Sequence, residues 1–255
     1  MKKLISILIL MLLVVAPADA AARKTATKKK TTATLTVSKG ETRTYGDYLT
    51  TQIFSIKKGT SKITVEYPTA GNSPLVSRIR NCIKESLNQN FTGPIETPDA
   101  LMKSVIKNIE RGEELTQDIS VIFSSDKVVT ILDEGYMYSG GAHGMPWEVG
   151  HSFLVADATP FSQSMLPSFW KLRNKIQKAL AAYFEVSLSD LADCLMMNPS
   201  ELEYPAADPY ISAEGIVLKW GPYEIAPYSA GLPQAVLPVD DDLLNSLSSE
   251  GRKFF

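Results

Sequence analysis

Residues 119–138 read ISVIFSSDKVVTILDEGYMY, and the spacing of their apolar positions sets the fold class. Ile119, Val121 and Phe123 alternate, Ser124-Ser125-Asp126 supply turn residues, and Val128 to Tyr138 runs back. A period of two on both sides of a polar turn predicts an antiparallel hairpin. Upstream, Gln52, Phe54 and Ile56 alternate, and so do Ile63, Val65 and Tyr67 across the turn Lys57-Lys58-Gly59-Thr60, with Pro68 ending the run. Between these hairpins the period changes. Ser73-Pro74 is a helix start signal, a capping hydroxyl before a proline. Leu75, Ile79, Ile83 and Leu87 then fall four apart, with Val76 and Cys82 beside them. Thr97-Pro98 repeats the signal ahead of Leu101, Met102, Val105, Ile106 and Ile109, predicting a second helix that ends near Gly112.

Downstream, an extended segment is expected over Trp147–Ala156 and irregular chain over Asp157–Pro167. Leu172, Ile176, Leu180 and Phe184 mark a third helix, and Ser189–Met196 a short fourth. Strands are expected at Ile216-Val217-Leu218, after a Glu-Gly turn, and at Ala235–Val239, before a brief helix capped by Asp240. Hairpins and helices interleave without the strand–helix repeat of a parallel sheet, so the expected class is α+β, antiparallel sheets with helices packed on one face.

The N-terminus has a different character. Lys2 and Lys3 precede an apolar run from Leu4 to Ala16 broken only by Ser6, and Pro17 stands before Ala18-Asp19-Ala20. This is the pattern of a cleavable signal peptide over residues 1–20. The run is shorter than the ~20 residues a spanning helix needs. No second run of spanning length follows, so no membrane span is expected after cleavage, and the expected location is periplasmic or secreted. No cysteine lies near the cut to carry a lipid. Residues 21–41, with Arg23, Lys24 and Lys28-Lys29-Lys30 among Ala and Thr, read as a basic flexible linker. Residues 42–255 read as one domain, an N-terminal module (42–112) followed by a C-terminal part (113–255).

Cleavage would leave 24 basic and 27 acidic residues, a net charge of −3. That balance argues against a nucleic-acid partner, which calls for concentrated positive charge. Cys82 and Cys194 both sit in helical apolar patterns, where a free thiol behaves as a small hydrophobe, while export would permit a disulfide. The sequence leaves both states open.

Motifs for catalysis are sparse. There is no Gly-x-Ser-x-Gly elbow, phosphate-binding loop, dinucleotide fingerprint or zinc spacing, and neither a cofactor nor a catalytic residue is expected. The best metal set, His143, Glu148 and His151, fits no helix face and is interrupted by Pro146, so no metal site is expected. Asp133, Glu134 and Glu224 are carboxylates of the kind glycoside hydrolysis uses, but the sequence cannot set their separation.

Two segments carry the candidate site. In Tyr136-Met137-Tyr138-Ser139-Gly140-Gly141-Ala142-His143-Gly144 the glycines permit positive φ and close backbone approach beside tyrosines and an imidazole. In Trp220-Gly221-Pro222-Tyr223-Glu224-Ile225-Ala226-Pro227-Tyr228-Ser229-Ala230-Gly231, prolines and glycines fix an irregular course that presents large amphipathic rings. Each segment is consistent with a ligand-contacting loop and equally with a packed corner. Ligand-binding candidates are Tyr138, Gly140, Gly141, His143, Tyr223, Glu224 and Tyr228.

Taken together, Gly140-Gly141-Ala142-His143-Gly144 and Tyr223–Gly231 resemble the extracytoplasmic domain of the RsiV-like family, whose type member is an anti-sigma factor with a lysozyme-binding outer domain. Thr42–Asn108 is similar to the N-terminal module of unknown function that accompanies it. The resemblance implies an α+β fold and a non-catalytic binding role at the cell envelope. No sigma-binding segment ahead of a membrane span is seen, so the chain is not expected to be the transmembrane anti-sigma factor itself. The function expected is therefore an exported binding module whose partner is a cell-wall glycan, a peptidoglycan fragment or a lysozyme-like protein. The alternative is an envelope hydrolase using His143 with a carboxylate.

Overall fold

The computed structural model describes residues 34–87, 97, 98, 101, 105 and 114–255. The leader and most of the basic linker lie outside the described residues, as does most of the second helix. Of that helix, Pro98, Leu101 and Val105 are helical, and Leu101 and Val105 are buried.

Six strands form one sheet in chain order: β1 (Leu35–Tyr45), β2 (Leu49–Lys58), β3 (Ser61–Gly71), β4 (Glu114–Ser124), β5 (Val128–Tyr138) and β6 (Met145–Leu154). Neighbours pair antiparallel except β3 and β4, which run parallel over Lys62–Val65 and Thr116–Ile119. Helix α1 (Ser73–Ser86) lies in the connection between those two strands. A smaller antiparallel sheet holds β7 (Tyr210–Ser212), β8 (Gly215–Lys219) and β9 (Gln234–Leu237), with α2 (Phe169–Tyr183) packed on β9. Short helices α3 (Leu191–Cys194), α4 (Asp241–Ser246) and α5 (Ser249–Arg252) complete a mixed α+β architecture. No helix among the described residues is long and apolar enough to cross a membrane.

The four-residue spacing in α1 buries Leu75, Val76, Ile79, Cys82 and Ile83 against one face of the large sheet, where Ile63, Val65, Ile119 and Ile131 point. Each aliphatic side chain so buried contributes about 1.5–3 kcal/mol. The start of α1 departs from expectation. Asn72, not Ser73, is the N-cap, and no side chain caps the helix. The Asn72 amide is committed elsewhere, its Nδ2 donating to Val155 O at 2.8 Å. Asp240 does cap α4, its Oδ1 accepting from Leu243 N at 2.8 Å.

The linker boundary at residue 41 is corrected by β1, which begins at Leu35. This is an edge strand exposed along most of its length, so backbone pairing with β2 makes it a strand without any apolar alternation. Tyr45 Oη and Thr51 Oγ1 each donate to the buried carboxylate of Glu66 at 2.6 Å, and Arg43 reaches its other oxygen at 3.3 Å. Glu66 Oε2 also accepts from Val121 N at 3.1 Å, beyond the point where the parallel ladder stops at Ile119. One carboxylate thus serves the edge strand and closes the end of the β3–β4 pairing.

The small sheet docks on the face of the large sheet opposite α1. Gly150 leaves room for the Tyr210 ring, since a Cβ there would lie 2.2 Å from Tyr210 Cγ. Thr130 Oγ1 donates to Ile211 O at 2.7 Å, and Ile211 N donates to Ser152 Oγ at 2.8 Å. Glu148 accepts from Tyr210 Oη at 2.8 Å and pairs with Lys219 at 2.8 Å. The cysteines are both free thiols. Burial pushes the Cys82 thiol up to about 12, which leaves it inert as a nucleophile at neutral pH.

Candidate functional site

The two segments singled out in the sequence meet at the surface. The first is the turn from β5 into β6. Gly140 and Gly141 adopt φ of 108° and 100°, which a side chain would strain, and Tyr138 Oη closes the turn on Gly141 O at 2.9 Å. Gly144 is needed for space: a Cβ there would lie 2.4 Å from Tyr136 Cζ. Its N–H donates to Tyr136 Oη at 3.0 Å, so the end of β5 fixes the chain beside His143.

The second segment follows β8. Trp220 is buried at its root and donates its N–H to Pro233 O at 2.9 Å. Glu224 is half-buried and accepts from Gly221 N and from Ala206 N at 2.7 Å each. Its carboxylate holds the loop and makes no hydrogen bond to His143, Tyr223 or Tyr228 among the described residues. Ile225 and Ala226 are buried next to it. A loop braced on both sides can hold Tyr223 at φ 64°, a left-handed conformation costly for an aromatic residue.

Between the loops, the His143 ring stacks on Tyr228 with centroids 3.9 Å apart and planes 23° apart. Tyr228 Oη donates to Gly144 O at 2.9 Å, and His143 Nδ1 lies 3.0 Å from the same carbonyl. A carbonyl only accepts, so Nδ1 is the donor to Gly144 O, and Nε2 lies 3.1 Å from the Tyr223 hydroxyl. Tyr223 is 48% exposed and His143 is exposed, while Tyr228 is half-buried beneath them. The structure therefore brings His143, Tyr223 and Tyr228 together, keeps Tyr138, Gly140 and Gly141 in the adjacent turn, and engages Glu224 with the backbone of its own loop and with Ala206 N. Tyr136 and Gly144 belong to the same construction. The Gly-x-x-Gly spacing at 141–144 was the available signal for the close approach at Gly144.

The hydrogen bonds of His143 go to a phenol and a carbonyl, and no carboxylate bonds to it among the described residues. Glu148 and His151 point to opposite faces of β6, as their odd spacing dictates, and no metal-holding group of acids, histidines and cysteines occurs among the described residues. Asp133 and Glu134 likewise point to opposite faces of β5. Burial raises the Asp133 carboxyl above its ordinary range, opposed by hydrogen bonds from Trp147 Nε1 at 3.0 Å and Gln117 Nε2 at 2.9 Å. Burial, then Glu148 and Asp118, raises Glu134. The His143 surface offers stacking area and hydrogen-bonding groups.

A family model described as a protein of unknown function (DUF3298) matches residues 170–240, so a DUF3298 domain is detected there. It spans Tyr223 and Tyr228 but not His143. No curated protein matches the chain. Two crystal structures of similar fold are those of a DUF3298 family member from Bacteroides fragilis NCTC 9343 and a DUF3298 family protein from Pseudomonas aeruginosa PAO1. The first is 17% identical with a TM-score of 0.61, covering 86% of this chain and 95% of that one. The second is 18% identical with a TM-score of 0.55, covering 86% and 96%. At these identities the likeness is one of fold.

Proposed function

We propose that the protein is an exported, non-catalytic binding module of the cell envelope that recognises its partner with the surface formed by His143, Tyr223 and Tyr228. The observation that carries this reading is Tyr223. A large aromatic side chain is held half-exposed in a left-handed backbone conformation, and strain of that kind is retained where surrounding structure enforces it for a purpose. Its neighbours pre-organise it, which lowers the entropy lost on binding. The signal-peptide pattern of residues 1–20 supports export, and the RsiV-like resemblance of the two loops supports a lysozyme-like protein, a peptidoglycan fragment or an envelope glycan as the partner.

The test is retention of the purified protein on immobilised lysozyme and on insoluble peptidoglycan, with Tyr223→Ala and Tyr228→Ala as variants. Retention on one bait, weakened by Tyr223→Ala in a protein of unchanged circular dichroism, is the expected result. Retention that Tyr223→Ala leaves intact would move the site elsewhere, and retention on neither bait would remove both partner classes.

A further inference from the structure

A second aromatic surface lies on the C-terminal half of the fold and shares no residue with the His143 cluster. Trp170, in the first turn of α2, is 67% exposed, the most exposed large apolar side chain among the described residues. Exposing an indole forgoes the burial that keeps most tryptophans largely inside. The ring is steadied by the Arg173 guanidinium, 5.2 Å from its centroid. It borders a cavity of about 700 Å³ whose walls include Phe169, Tyr204, Gln163, Glu201 and Glu203. Phe169 and Tyr204 meet edge to face at 5.2 Å, and Tyr204 Oη is anchored on Pro167 O at 2.8 Å, so that wall is fixed.

The polar groups of the cavity define the ligand. The side chains of Gln163 and Glu203 engage in no hydrogen bond or ion pair among the described residues, and Glu201 uses one oxygen only, at Asn198 N. No side chain caps the start of α2, whose first residues, Phe169 and Trp170, line the same cavity. Carboxylates repel polyanions, while the Gln163 amide can donate to a neutral acceptor. One flat exposed indole, with acceptors and donors around it, matches a pyranose ring: its apolar face stacks and its hydroxyl and acetamido groups hydrogen-bond. A proline-rich peptide would call for a second exposed ridge, and Phe169 and Tyr204 are packed against each other instead. We propose that this groove is a binding site for a neutral oligosaccharide, with Trp170 as the stacking platform and Glu203 and Gln163 as hydroxyl ligands.

The intact protein is titrated with chitotriose, a neutral N-acetylglucosamine trimer, and followed by tryptophan emission and calorimetry. Binding with a blue shift is expected. Trp170→Ala should abolish the shift and weaken affinity about tenfold, equivalent to about 1.4 kcal/mol. Glu203→Gln, which retains shape, should weaken it about threefold. Tyr223→Ala should leave this titration unchanged, so failure here is separable from failure of the His143 surface. Absence of binding, equal affinity in Trp170→Ala, or binding of a proline-rich peptide in place of the sugar would each overturn the proposal.

Discussion

If Tyr223 is displayed for a partner, replacing it should cost the fold little, and the structure allows the cost to be worked out. Its left-handed backbone stores roughly 1 kcal/mol, which glycine releases. Against that, glycine loosens the unfolded chain by about 0.5–1 kcal/mol. Losing a ring that is 48% exposed forfeits about 1 kcal/mol of burial. The exposed bond to His143 Nε2 adds about 0.5 kcal/mol. Tyr223→Gly should therefore destabilise by about 1 kcal/mol. Tyr228→Ala removes a half-buried ring stacked at 3.9 Å and a hydroxyl bond to Gly144 O, and should cost about 3 kcal/mol. Urea unfolding followed by circular dichroism measures both. Tyr223→Ala provides an internal check, since alanine keeps the strain but avoids the unfolded-state cost of glycine, and the two variants should agree within about 0.5 kcal/mol. If Tyr223→Gly costs as much as Tyr228→Ala, Tyr223 is a structural staple and the argument from strain fails.

Other outcomes can be measured in the same way. Gly144→Ala should cost about 1–3 kcal/mol through overpacking against Tyr136, and should change the near-ultraviolet tyrosine signal. Gly140→Ala meets open space, so its smaller loss of about 1 kcal/mol should come from φ alone. Glu66→Ala strands Thr51, Tyr45 and Val121 N without their acceptor and should cost about 3–5 kcal/mol, with faster hydrogen exchange in β1 than in β5. Burial lowers the His151 imidazole from its ordinary 6.5, so the unfolded chain takes up a proton before the folded one. The neutral, half-buried ring's contribution is intact above about pH 6.5 and is lost as pH falls through that value toward the folded pKa. His151→Leu should flatten that acid-side loss in unfolding midpoints; an unchanged slope would assign it to other groups.

Much of this fold was legible because burial on one face leaves a period. The β4–β5 hairpin and the apolar stripe of α1 fall where Ile119–Tyr138 and Leu75–Leu87 place them. What leaves no period was not legible. β1 is exposed on both faces and held by backbone pairing, β7 is three residues long, and the parallel pairing of β3 with β4 joins residues 54 apart, such as Lys62 and Thr116. At the site, glycine and tyrosine content marked both loops, but one fact came only from the three-dimensional arrangement. Glu224 accepts from two backbone amides that lie in separate parts of the chain, so sequence could not show which groups its carboxylate holds. Trp170 stands two residues before Leu172, off the apolar stripe of α2, so its exposure is implied by the helical period alone.

The position of the His143 surface bears on how it would respond to a partner. His143 and Gly144 belong to a turn of the large sheet, Tyr223 and Tyr228 to a loop of the small one, and the bonds between them join residues 80 and 84 apart in sequence. The same two halves are held elsewhere by Thr130 and Ser152 on Ile211 and by Glu148 on Tyr210 and Lys219. The aromatic surface thus exists only when the sheets are docked, and a ligand touching both loops binds the docked form alone. By linkage such a ligand stabilises docking by RT ln(1 + [L]/Kd), about 2.7 kcal/mol at a hundredfold excess over Kd. Hydrogen exchange at Ile211 N, which lies in the docking seam away from the loops, should slow when the partner binds at His143. A ligand seated on Trp170 touches one half only and should leave that amide unchanged, so a single seam amide separates the two surfaces.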